Sequence, residues 1–183
     1  MRSSANPKHN QYAGYSELAR RNGAQETVLI ATRKVVTAEW VRLKCQFGCS
    51  GFGRGLCCPP CTPTPSTTRR MLDEYRIALL YTYSCPGPDN SPLRRKMERV
   101  VARLERAFFL DGCYKAFALG AGPCRLCAVC NTTRRCRHSD RARPGMEACG
   151  IDVFKTARDN GFPIEVVRAH GEERNNYGLV LVE

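Results

Sequence analysis

Cys124, Cys127 and Cys130 stand at C-x2-C-x2-C spacing, and Cys136 follows after five further residues. A loop that returns a thiolate every third residue can offer three corners of a cuboidal four-iron cluster from one short wrap, with a fourth cysteine completing it. The first three positions match the bacterial ferredoxin run. The fourth departs, because five residues intervene and Arg137 stands where that run has proline. The rival is a tetrahedral zinc site, but zinc usually takes two C-x2-C pairs separated by roughly a dozen residues, so that two turns grip opposite sides of the ion. His138 is compatible with zinc. As a lone histidine in an arginine-rich loop it reads as a hydrogen-bonding residue, not a ligand.

A second group holds Cys45, Cys49, Cys57, Cys58 and Cys61. Glycines at 48, 51, 53 and 55 permit turns that point backbone amides inward, where they can hydrogen-bond sulfur, and Pro59 and Pro60 fix the exit. Cys45, Cys49 and Cys58 give C-x3-C-x8-C. That is not the C-x3-C-x2-C of radical enzymes, since Phe52 occupies the required position. Cys58-Pro59-Pro60-Cys61 also fits the C-x-x-C of dithiol oxidoreductases, a lesser reading where five cysteines stand and two suffice. Cys85 and Cys113 are isolated and read as small buried apolar residues. Cys149 reads as a packing residue, with an extra ligand as the sharper alternative. No general base is evident: Glu39 and Asp73 read as surface carboxylates.

The chain that must position these groups has 183 residues, enough to bury roughly 70% of its unfolded surface without cysteine staples. Met1 to Gln11 has no apolar central region and no small-residue cleavage site, which predicts a cytoplasmic location. In that reducing compartment 12 cysteines point to metal or redox chemistry instead of disulfides. Apolar runs such as Ile77 to Tyr83 fall far short of the ~20 residues that span a bilayer, so no membrane segment is expected. The formal charge of +12 suggests an anionic partner. Part of it can offset thiolate-held iron, since an oxidised four-cysteine cluster contributes roughly two negative charges.

The pattern predicts a short helix over Tyr15 to Arg21 capped by Ser16, and a strand over Thr27 to Ala31. Val35 to Leu43 fits either a strand or a helical turn. Cys45 to Thr62 reads as a loop wrapped on something. Thr64 and Pro65 start a helix bearing Met71, Leu72 and Tyr75, and Ile77 to Tyr83 is a buried strand. Ser91 and Pro92 start the clearest helix, with Leu93, Met97, Val100, Val101, Leu104 and Phe108 on one face up to Gly112. Tyr114 to Leu119 is a strand ending in the Gly120 to Pro123 turn. Pro144 opens a helix bearing Met146, Cys149, Val153, Phe154 and Ala157, closed at Gly161. Ile164 to Val167 and Gly178 to Val182 are final strands. Strands alternating with helices predict one layered α/β or α+β domain over 1–183, a mixed sheet flanked by helices with two cysteine-rich loops.

The pieces VRLKCQFGC, CCPPCTPTP, GAGPCRLCAVC, CRH and ARPGMEACGIDVFKTA, in this order and spacing, resemble a prokaryotic family of predicted metal-binding proteins of unknown function, DUF2284. The resemblance runs from about Trp40 to Pro163. It implies a cytoplasmic iron-sulfur protein with ligands among Cys45, Cys49, Cys58, Cys124, Cys127, Cys130 and Cys136, and it implies no established reaction. Two positions depart from the pattern: Cys61 is not usually cysteine there and the position of Cys57 is variable, so Cys61 could add a fourth thiolate to the first site. Ser139 replaces a proline common after the histidine.

Three functions follow as expectations. One or two [4Fe-4S] clusters make an electron relay or redox accessory protein the simplest reading, and Arg125, Arg134, Arg135 and Arg137 around the second group could steer an acidic redox partner. If only Cys45, Cys49 and Cys58 bind, an open iron could act as a Lewis acid in an enzyme. The third reading is a zinc-binding nucleic-acid module. It is disfavoured by the lack of an interleaved aromatic stripe or a recognition motif, and Arg69, Arg70, Arg94, Arg95 and Lys96 read as solvated helix faces.

Overall fold

The computed structural model describes residues 7–85, 91–168 and 174–183. Four strands, β1 (Thr27–Ala31), β2 (Ile77–Cys85), β3 (Phe117–Leu119) and β4 (Arg174–Leu181), form one sheet in the order β1-β2-β4-β3. The helices are α1 (Pro7–Arg21), α2 (Glu39–Gly48), α3 (Pro65–Asp73), α4 (Ser91–Leu110) and α5 (Val153–Asp159), with single 3-10 turns at Thr32–Lys34 and Glu147–Cys149.

Alternation along the strands divides the core into two layers, because successive side chains on a strand point to opposite faces. On one face Leu79, Tyr81, Tyr83, Ala118, Val180 and Val182 pack under α1 and α4, against Tyr15, Ala19, Val101, Leu104 and Phe108. On the other, Ala78, Leu80, Leu119, Leu179 and Leu181 pack under Val35, Leu72, Met146, Ile151, Ala157 and Phe162. The register is specified by shape at one point. Tyr81 lies opposite Gly178, where a Cβ would come within 2.3 Å of the Tyr81 hydroxyl, and that hydroxyl donates to the Leu119 carbonyl at 3.2 Å. A side chain at position 178 would push the ring off the sheet.

All three strand pairings are antiparallel, so the α+β alternative is the one that forms and the expected mixed sheet is corrected. The reason lies in the connections. β1 ends at Ala31 opposite Ile77, where β2 begins, so the whole first cysteine excursion leaves and re-enters the sheet at one end. The second excursion leaves after β3 at Gly120, which bridges to Gly145 where the chain returns. Cysteine loops closed at their base in this way bring the chain back beside its departure point.

Several local expectations hold. Thr64 caps α3 by accepting the Thr67 N–H with Pro65 in the first turn, and α4 follows the expected span. Leu93 and Met97 of that helix have side chains outside the described residues, as does Cys85. Others are corrected. The first helix begins at Pro7, which places Ser16 inside it and not at its cap. Val35 to Leu43 splits between an isolated bridge at Thr37 and the start of α2, which extends to Gly48 and so carries Cys45 on a helix. The third strand shrinks to Phe117–Leu119, and Ile164 to Val167 is irregular, its Val166 and Val167 exposed. The helix expected from Pro144 is interrupted, since Gly150 takes φ +76° and Ile151 pairs with Thr37, leaving a 3-10 turn and the separate α5. Apolar spacing alone does not reveal a left-handed residue inside a helical pattern.

Candidate metal centre

The segment from Gly145 to Asp152 holds both cysteine loops. Its backbone ties down the approach to the first loop: Ala38 N–H donates to Gly150 O at 2.9 Å and Asp152 N–H to Val36 O at 2.8 Å. It also ties down the exit, because the buried Thr62 hydroxyl donates to Ala148 O at 2.5 Å and the Thr68 hydroxyl to Cys149 O at 2.6 Å. Arg42 of α2 braces the same exit through Thr62 Oγ1 at 3.4 Å and the Pro63 carbonyl. The second loop is fastened at Gly122, whose N–H donates to Glu147 Oε1 at 2.5 Å. Gly150 is needed where it is: a Cβ there would lie 2.4 Å from Pro65 Cγ, so the turn packs directly on the first residue of α3.

Within the first group, Cys45 leaves α2 with its thiol 3.8 Å from the Glu147 carbonyl. Gly51 sits between two further thiols, its missing Cβ position lying 3.4 Å from Cys58 Sγ and 3.5 Å from Cys49 Sγ. Pro123 of the second loop closes the same space at 3.3 Å. A Cβ there would touch both sulfurs and press on the opposite loop, so glycine lets that loop approach closely. Cys61 is exposed, as is Cys49.

The two loops face one another across a cavity of about 340 Å³. Its walls carry Cys57 and Cys58 from the first loop and Cys124, Cys127, Cys130 and Cys136 from the second. The adjacent residues Cys57 and Cys58 diverge. Cys58 is buried and sits by Cys49, whereas the Cys57 thiol shares a hydrogen bond with that of Cys124. His138, set aside by sequence reasoning as a solvated or hydrogen-bonding residue, also lines the cavity, and Arg141 contacts its Nδ1 at 3.1 Å.

One backbone motif recurs. Gly51 N–H donates to Cys49 Sγ at 3.3 Å, His138 N–H donates to Cys136 Sγ at 3.4 Å, and the Leu126 amide donates to Cys124. In each case the donor is two residues after the sulfur. Amides aimed at sulfur favour the thiolate, the form that binds metal, and tune a bound centre. The inward amides expected from the glycines are therefore present, but only one of the three comes from a glycine.

The titration of the thiols follows from crowding. Cys124 is lowered to about 6, chiefly by its hydrogen bond with Cys57 and further by the Leu126 amide and Arg125, against the effect of burial. Cys57 is pushed far up by the same hydrogen bond and by burial. Burial raises Cys58 to about 11, with Cys49, Cys45 and Cys124 adding repulsion. Cys45 rises through burial, Glu147 and Cys49, with Arg42 opposing. Thiols that repel one another's charged forms are the ones a cation relieves, since a bound metal deprotonates its thiol ligands.

Cys113 and Cys149 are buried apart from the cavity, as packing residues would be. Cys149 is pushed up to about 12, first by burial and then by Glu147. Glu39 is exposed, and Asp73 is exposed and paired with Arg69, so neither is placed as a base. Arg69 itself is not a plain solvated residue, because its Nη1 donates to Val35 O at 2.8 Å. Among the described residues no three His, Cys, Asp or Glu side chains close on one point as ligands of a single ion would. Six cysteine residues line a common space, and their soft donor chemistry fits a thiophilic metal.

No helix among the described residues is long and apolar enough to cross a membrane. No curated protein and no solved structure matches the chain. Residues 28–182 match the family described as "Predicted metal-binding protein (DUF2284)", a span from β1 through β4 that exceeds the Trp40 to Pro163 stretch carrying the sequence resemblance. With its sheet and both cysteine loops inside that match, the chain belongs to the DUF2284 family of predicted metal-binding proteins.

Proposed function

We propose that the protein is an iron-sulfur protein holding one or two [4Fe-4S] clusters and serving in electron transfer or as a redox accessory to an acidic partner in the cytoplasm. The observation that carries this reading is the cavity of about 340 Å³ walled by six cysteines from two loops. A structural zinc takes four sulfurs converging at about 2.3 Å and is then closed, whereas six thiols around a space suit a multi-atom cluster. Cys124, Cys127, Cys130 and Cys136 would hold one cluster, and Cys45, Cys49 and Cys58 a second. A bound cluster supplies one-electron redox chemistry, tuned by hydrogen bonds to its sulfurs. The chain contributes the amides of Gly51, Leu126 and His138 to those sulfurs and the anchoring of both loops on Glu147.

One observation favours a second reading. Cys61 and Cys49 are both exposed and outside the cavity, but Cys49 Sγ lies with Cys58 Sγ beside Gly51, and on that grouping Cys45, Cys49 and Cys58 are three thiols for four corners of the first cluster. An iron without a protein thiolate could act as a Lewis acid toward a substrate.

The test is anaerobic purification with iron, acid-labile sulfide and zinc measured together, followed by electron paramagnetic resonance after dithionite. Iron and sulfide in equal amounts, about four or eight of each per chain, with a signal on reduction, is the expected result. Zinc without sulfide would overturn it.

A further inference from the structure

Beside the cysteine cavity lies a second, larger groove of about 520 Å³, between α4 and the segment that returns from the second loop. Arg99, Arg103 and Arg106 line it from α4. Their spacing of four and then three residues puts them in one row, about 10 Å long at 1.5 Å per residue. All three are exposed and none makes an ion pair among the described residues. Arg141 extends the positive rim, and Phe109, 54% exposed, stands at the end of the row. The floor is apolar, with Ala102 and Ala116.

The carboxylates in the groove are already committed. Glu105 holds Arg143 through Nε at 2.6 Å and accepts the Ala118 N–H at 2.9 Å, and Asp140 pairs with Arg141 at 3.1 Å. They fasten the groove wall and leave the α4 arginines without counter-charge. The wall is continuous with the cavity wall: Cys136 and His138 line the cavity, while Asp140, Arg141 and Arg143 line the groove. Arg141 and Ala142 N–H groups both return to His138 O, at 2.9 and 2.7 Å, so one tight turn separates the two spaces.

We infer that this groove is the docking site for an acidic helix of a partner protein. A row of cations spaced by four and three residues above an apolar floor matches a helix bearing carboxylates at the same spacing beside an apolar stripe. A nucleic-acid strand fits less well, since among the described residues Phe109 is the one aromatic side chain lining the groove and offers no platform on which successive bases could stack. This rests on the electron-transfer reading in that docking here sets the partner one turn from the cysteine cavity. It also places the partner on α4, whereas the sequence pointed to Arg125, Arg134, Arg135 and Arg137.

The test uses the metal-loaded full chain and a small acidic ferredoxin as probe. Binding is measured by titration calorimetry at low and high salt, and electron transfer from the reduced probe by stopped flow. The triple variant Arg99→Glu, Arg103→Glu, Arg106→Glu is expected to weaken binding roughly tenfold or more and slow association, as charge reversal at a steered interface does. Arg99→Gln, Arg103→Gln, Arg106→Gln serves where the reversal impairs folding, with a smaller loss expected. The control Arg20→Glu, Arg21→Glu on α1 should leave binding within about twofold. Equal weakening by the control would overturn the groove, because net charge alone would then explain the effect. So would unchanged binding in the α4 variants, or an α4-dependent affinity for RNA or DNA that exceeds that for the ferredoxin. A wild type that binds through α4 but has no reducible cluster would sink the electron-transfer reading and leave the docking site standing.

Discussion

Glu147 accepts the Gly122 N–H on its carboxylate at 2.5 Å, while its own carbonyl lies 3.8 Å from the Cys45 thiol. One residue therefore touches the base of the second cysteine loop and the first cysteine of the other. Glu147→Ala removes a charged acceptor from a half-buried amide and is expected to lower stability by about 2 kcal/mol. Glu147→Gln keeps an acceptor and should recover about half of that. Urea unfolding of the two variants checks the difference, and the Ala variant should also retain less metal.

Gly150→Ala should be the most damaging glycine substitution in the hub. It combines backbone strain at φ +76° with a Cβ 2.4 Å from Pro65 Cγ, and about 3 kcal/mol or more is expected. Gly161 is the matched control, since its φ is +84° but nothing lies within 4 Å, so Gly161→Ala should cost only about 1 kcal/mol. Equal losses would mean that the contact with α3 contributes nothing.

Thiol labelling should sort the cysteines by environment. A thiol whose folded pKa is raised holds less thiolate at pH 8 than an ordinary one, so Cys149, at about 12, should resist iodoacetamide in the native metal-free protein, as should buried Cys113. Exposed Cys49 and Cys61 should label early, and so should half-buried Cys124, whose thiol is lowered to about 6 and is thiolate at pH 8. Peptide mass spectrometry reads the order. Early labelling of Cys149 would contradict its burial.

Cys57 and Cys61 should separate on substitution. Cys57 lines the cavity and contacts Cys124, so Cys57→Ser should weaken metal retention about tenfold or more, the usual effect of disturbing a ligand or its immediate support. Cys61→Ser should leave metal content and spectrum unchanged, because Cys61 neither lines the cavity nor stands with Cys49 and Cys58 beside Gly51. Metal loss on Cys61→Ser would instead assign it to the first site and remove the open-iron reading.

Much of the framework was legible because its signals are local. The Thr64–Pro65 start, the apolar face of α4 and the buried run of β2 each lie within one element and need no knowledge of its neighbours. The breaks in the expected pattern came from partners distant in sequence. Gly150 interrupts a helix because Pro65 packs on it and Ile151 pairs with Thr37. Ile164 to Val167 has β-type composition, but its Val166 and Val167 are exposed.

The cysteines divide the same way. Spacing alone marked Cys124, Cys127 and Cys130 as one wrap of thiolates, since ligand type and step length are properties of the chain. That Cys57 turns to the second loop while its neighbour Cys58 stays with Cys49 required the fold, because adjacent side chains in a turn carry no sequence signal of which wall they will face. The row of Arg99, Arg103 and Arg106 carried no signal in the sequence for the same reason. Its meaning depends on a wall supplied by Asp140 and Arg141, which only tertiary packing brings beside it.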